Sequence, residues 1–200
     1  MTRIPPSTRT GSRRIHYLLA VGLVAVLAAI VVTLGPQVLK SASAPATLNS
    51  LPLGKADGVV PEGVTVFDDD FPAVAGLDQD LLEALREAAT DAGVEFHVNS
   101  GWRSPAYQNQ LLREAVAKYG SAQEAARWVA TATTSPHVSG DAVDLGPSAA
   151  TAWLSDHGAE YGLCPIYRNE PWHYELRPAA IAHGCPRMYA DPTQDPRMHQ

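Results

Sequence analysis

Acidic residues are missing from the first 40 positions of this 200-residue chain, where Arg3, Arg9, Arg13, Arg14 and Lys40 stand alone. Charge of either sign is missing from residues 15–39, so that stretch is set aside before any fold is read. Repeats and sustained heptads are also lacking, which excludes solenoids, collagen and long coiled coils. Neither S-x-x-K nor G-x-S-x-G occurs, so the serine-nucleophile signatures are absent too. Cysteine is scarce, with only Cys164 and Cys185, and no C-x-x-C pair is formed.

What is present divides sharply. Without the first 40 residues the chain keeps 10 basic against 21 acidic side chains, a net charge of −11. Such a field repels phosphate backbones and argues against a nucleic-acid partner. At 46% hydrophobic residues the remainder can bury one core. From Tyr17 to Leu34 the run YLLAVGLVAVLAAIVVTL approaches the ~20 apolar residues that cross a bilayer as a helix. The arginines before it place the N-terminus in the cytoplasm. The expected organisation is a cytoplasmic basic tail (1–14), a transmembrane signal-anchor (15–36), an Ala/Ser/Pro/Gly linker (37–63), a folded domain (64–190) and an irregular tail (191–200). Cleavage at the small residues Ser41 to Ala46 is the alternative, giving a secreted protein. Both place the domain outside the cytoplasm, where Cys164 and Cys185 are expected to form one disulfide. A metal-ligand pair is the weaker reading for lack of close spacing.

Within the domain, Leu81, Leu82, Leu85, Ala88 and Ala89 share one helical face, capped by Asp78 and ended near Gly93. VEFHVN (94–99) alternates as a half-buried strand. Ser104 and Pro105 open a helix that Gly120 stops, and Ser121 with Glu124 predicts a second one to about Ala130. DAVDL and WHYEL (172–176) read as strands, with a helix over PSAATAWLSDHGAEYG between them. Without regular strand–helix alternation, the fold class is α+β with a small antiparallel sheet flanked by helices, preceded by one transmembrane helix.

Three segments concentrate polar chemistry: SGWRSPAYQ (100–108), SPHVSGDAVDLG (135–146) and NEPWHYEL (169–176). His137, Asp144 and His173 supply two imidazoles and a carboxylate, a set able to hold Zn²⁺ with a position left for water. Glu170 lies three residues before His173; with Pro171 between them it is expected on a turn, with His173 on the following strand. From the residues alone this reads either as a zinc site or as polar residues that happen to sit near loops.

SPHVSGDAVD fits the S-x-H-x-x-G-x-A-x-D signature, and EPWH the E-x-W-H signature, of the VanY-like D-alanyl-D-alanine carboxypeptidases, zinc peptidases of peptidoglycan. SGWRS resembles their S-G-Y-R-S motif, with Trp102 in place of tyrosine. The resemblance runs from about Leu77 to Arg177 and implies a Hedgehog/DD-peptidase-like fold. It implies one Zn²⁺ per chain on His137, Asp144 and His173, Glu170 as catalytic base, and Arg103 binding substrate and stabilising the oxyanion. Gln108 and Ser135 would line the substrate site, and Gly140 would be a tight-turn residue. The implied partner is a peptidoglycan stem peptide ending in D-Ala-D-Ala, with the membrane engaged through the N-terminal helix. An endopeptidase or L,D-carboxypeptidase on the same scaffold, and a non-catalytic zinc-containing binding module, are the alternatives.

Overall fold

The computed structural model describes residues 52–199. The expected membrane span therefore lies outside the described residues, and among these no helix is long and apolar enough to cross a membrane. The elements are α1 (Pro72–Ala75), α2 (Gln79–Ala92), β1 (His97–Ser100), α3 (Pro105–Tyr119), α4 (Ala122–Ala125), α5 (Pro136–Ser139), β2 (Ala142–Gly146), α6 (Ser148–His157), β3 (Leu163–Tyr167), β4 (Glu170–Leu176) and α7 (Ala180–His183). The four strands form one antiparallel sheet in the order β1-β2-β4-β3.

The helix caps behave as local chemistry dictates. Asp78 accepts from the backbone N–H groups of Asp80 and Leu81, and Gly93 closes α2 in the left-handed region. Ser104 caps α3 by accepting from Tyr107 N–H, and Gly120 ends it. One sheet face carries Val98, Val143, Leu145 and Tyr174 into the main core, where Leu81, Leu85 and Ala88 of α2 and Ala150 and Leu154 of α6 cover it. The other face is left for polar work. Its central row is set by register: Ser100 stands opposite Asp144, and Asp144 opposite His173.

Several expectations change. The strand expected from Val94 begins at His97, and Val94 is exposed. The helix expected from Ser121 to Ala130 stops after Ala125, where the hydrogen bonds tighten to the three-residue spacing of Arg127 N–H to Glu124 O and Trp128 N–H to Ala125 O. Asn169 Nδ2 donates to Arg127 O, and Gln108 Nε2 donates to Ala130 O. Glu170 is not on a turn but opens β4, paired with Tyr167 across a hairpin whose first strand, β3, the sequence pattern did not mark. The expected linker contains a 3-10 turn, Lys55–Asp57, whose Asp57 side chain accepts from Ser104 Oγ. The tail expected to be irregular forms two 3-10 turns, Pro192–Gln194 and Pro196–His199, anchored by Asp195, which is fully buried.

Candidate metal centre and active site

His137, Asp144 and His173 arrive from three directions. Pro136 starts the single turn of α5 that carries His137, and Gly140 ends it at φ +87°, where a Cβ would lie 2.5 Å from Gly76 O. Asp144 and His173 are cross-strand neighbours on the polar face. The outcome is a cluster in which His137 Nε2 lies 3.2 Å from His173 Nδ1, and Asp144 Oδ1 lies 3.2 Å from His173 Nδ1 and 3.5 Å from His137 Nε2.

The far side of each group decides what the near side offers. His137 Nδ1 is 2.9 Å from Gly101 O, a carbonyl that can only accept, so Nδ1 carries the proton and Nε2 a lone pair. Gly101 reaches that position because it has no side chain: a Cβ there would lie 1.9 Å from Ala73 O. His173 Nε2 is 3.2 Å from Glu175 Oε1, which places the proton on Nε2 and the lone pair on Nδ1. Asp144 Oδ2 accepts from Arg103 Nη2 at 2.8 Å, leaving Oδ1 turned inward. Three ligand atoms, His137 Nε2, Asp144 Oδ1 and His173 Nδ1, thus face one point, an arrangement that a cation satisfies by taking the place of a proton. Two imidazole nitrogens and a carboxylate fit zinc.

Electrostatics follow from these contacts. Burial and the nearby Arg103 lower the His137 pKa. Burial opposes ionisation of Asp144, but the histidine contacts and Arg103 outweigh it and hold the carboxyl well below its usual range. For His173, burial is outweighed by hydrogen bonds to Asp144 and Glu175, and the pKa rises to about 9. Glu170 goes the other way from Asp144: buried at the start of β4, it is pushed up to about 7.

Glu170 and Arg103 line the same cavity of about 340 Å³ as the three ligand candidates. Glu170 stays outside the ligand cluster. Arg103 is fixed by three of its five donors: Nε to Ser100 Oγ at 2.7 Å, Nη1 to Gln108 Oε1 at 3.2 Å, and Nη2 to Asp144. Gln108 is therefore a brace for Arg103 as well as a wall of the cavity. Ser135 Oγ is buried in that wall with no hydrogen-bond partner among the described residues. Trp102 lies elsewhere: its ring packs over Gly76, beside a different cleft, so the tyrosine-to-tryptophan change does not shape this cavity. The cysteines are joined, with Cα atoms 5.5 Å apart. Sequence reasoning missed Glu175, Arg177 and Arg197, because ion pairs between distant segments leave no periodic signal.

Comparison with known proteins adds three findings. The model of the family described as VanY, D-alanyl-D-alanine carboxypeptidase, matches residues 77–179, just over half of the chain. A D-alanyl-D-alanine carboxypeptidase of Enterococcus faecalis is 34% identical over a match covering 46% of this chain and 44% of that protein, so the chain spans less than half the length of this curated relative. Among solved structures, the LdcB LD-carboxypeptidase superposes with a TM-score of 0.50 at 23% identity, covering 66% of this chain and 73% of that one, a likeness of fold. A vancomycin-resistance D,D-pentapeptidase VanY in complex with Zn(II) gives a TM-score of 0.48 at 27% identity, over 54% and 75% of the two chains.

Proposed function

Because this chain belongs to the VanY family of D-alanyl-D-alanine carboxypeptidases, we propose that it hydrolyses the terminal D-alanine from peptidoglycan stem peptides, using one zinc ion held by His137, Asp144 and His173. The observation that carries this reading is the convergence of three potential ligand atoms beside a buried carboxyl and a fixed guanidinium in one cavity. Zinc at that point supplies Lewis acidity, activating water and polarising the scissile carbonyl. Glu170 takes the proton as water oxygen bonds to the carbonyl carbon, and returns it to the amine nitrogen as the C–N bond breaks. A carboxyl brought close to neutrality by burial is suited to both halves of that transfer. Arg103 retains two donors beyond the three already engaged, and these match a carboxylate or a developing oxyanion. Ser135 Oγ adds a further polar contact.

The place of action is also proposed. The apolar run 17–34, with four arginines before it, supports a membrane anchor that holds the domain outside the cell. The −11 net charge beyond residue 40 and the Cys164–Cys185 bridge accord with an extracytoplasmic, non-nucleic-acid role.

The test is mass spectrometry of products from defined stem peptides. Release of a single D-alanine from a peptide ending in D-Ala-D-Ala, and its loss when the C-terminus is amidated, is the expected result. Comparable cleavage of the amidated peptide, or earlier cleavage of an internal bond, overturns the carboxypeptidase reading in favour of an endopeptidase.

A further inference from the structure

Behind the metal centre lies a closed polar circuit that the reaction above does not use. Glu175 is fully buried, two residues beyond His173 on the same face of β4. Its Oε1 meets His173 Nε2 at 3.2 Å and Arg197 Nη2 at 3.2 Å; its Oε2 meets Arg177 Nη2 at 2.6 Å and Arg197 Nη1 at 2.7 Å. Arg197 in turn grips Asp195 through Nε, 3.1 Å from both carboxylate oxygens. Asp195 accepts from the Tyr167 hydroxyl at 2.9 Å, and the Tyr167 ring packs on the His173 ring with centroids 5.1 Å apart. The circuit therefore begins and ends on one ligand. Opposite Glu175 the sheet carries Ala142, whose small side chain leaves room for the buried carboxylate.

On the reading that His173 holds zinc, we propose that Glu175, held in place by Arg197 of the C-terminal segment, is a positioning residue that fixes the ring orientation and tautomer of His173 for the metal. The two histidines differ in this respect. His137 is backed by a neutral carbonyl, His173 by a carboxylate, which makes its imidazole the more strongly donating of the two. Stability alone does not account for burying this cluster, since a buried ion group can often be replaced by packed apolar residues at no cost. Arg197 lies beyond the stretch matched by the family model, which ends at residue 179. The circuit therefore reaches past the stretch that the family model matches.

The experiment is zinc affinity of the purified full-length chain in detergent, by competition with a chromophoric chelator. Glu175→Gln should weaken zinc binding about 10–100-fold, the usual range for removing such a partner. Arg197→Ala should weaken it in the same direction, and adding it to Glu175→Gln should cause little further loss, because Arg197 acts through Glu175. Arg197→Lys should recover part of the loss. A cluster that serves folding alone would lower the melting temperature of the metal-free chain but leave zinc affinity unchanged, and a folded Glu175→Gln within two-fold of wild type overturns the proposal. If that variant does not fold, a folded Arg197→Ala with unaltered affinity overturns it equally. A wild-type chain that takes up no zinc is a different failure, that of the functional reading on which this one rests.

Discussion

Glu170 shows how one residue's surroundings set both its chemistry and its cost. Its carboxyl, ordinarily near 4.5, is raised to about 7 because burial disfavours the charged form. Between those values the metal-free folded chain binds more protons than the unfolded one. The stabilising contribution of the protonated group is therefore complete below pH 4.5 and is lost as pH rises through 7. Glu170→Gln, which carries no charge to desolvate, should gain stability relative to wild type as pH rises over that window. The gain is on the order of 3 kcal/mol at most, visible in thermal melts of the metal-free proteins. A difference that is flat with pH contradicts this account. In the zinc-loaded enzyme the same substitution should keep the metal and lose ~10²–10⁴-fold in turnover, measured by D-alanine release.

At the scale of elements, the β3–β4 hairpin carries two of the groups on which the proposed chemistry rests. It brings Glu170 to the rim and His173 to the metal, with Tyr167 opposite Glu170. Its strand β4 is paired on both sides, but β3 is the sheet edge, where pairing on one side only would leave it weakly held. Two things secure it: the Cys164–Cys185 bridge, which closes a loop of 21 positions, and the small apolar cluster of Cys164, Ile166, Tyr167 and Ala180. Replacing both cysteines by alanine should lower stability by ~2–4 kcal/mol, mainly by freeing the unfolded chain, as read from denaturant unfolding. An unfolding midpoint unmoved by that change, or by reduction of the native protein, means the bridge is not what holds the hairpin.

At the scale of the whole molecule, one sheet separates two environments. The apolar face packs on α2 and α6; the polar side gathers His137, Asp144, His173, Glu170 and Arg103 into a single cavity. That division leaves Asp144 and His173 on the two central strands, β2 and β4, with His137 supplied by the turn of α5. A domain of this kind, tethered through residues 15–36 as proposed, would act on cell wall within reach of the membrane. Protease applied to intact protoplasts should then remove the domain and spare a small membrane-bound fragment. Recovery of only a soluble form beginning near Ala44 or Ala46 favours signal-peptide cleavage instead.

The sequence by itself determined what acts over one or two turns or through a short motif. Asp78 and Gly93 mark the ends of α2, Ser104 and Gly120 those of α3, because caps satisfy backbone groups only two to four residues away. The motifs shared with the VanY-like family singled out His137, Asp144, Glu170 and His173, which line one cavity, and the two cysteines, expected to pair in preference to holding a metal, are joined. Tertiary structure decided the rest. LCPIY carries no period that marks it as a strand; only the hairpin with β4 makes β3. The helix after Ser121 had a proper start but ends after Ala125, and Asn169 and Gln108 reach from across the fold to hold the Arg127 and Ala130 carbonyls of the segment that follows. The carboxylate behind His173, and the arginine that reaches it from 22 positions away, could be joined only by folding. Charge pairing works through space in a low-dielectric interior, and nothing in the local order of residues records which partners will meet there.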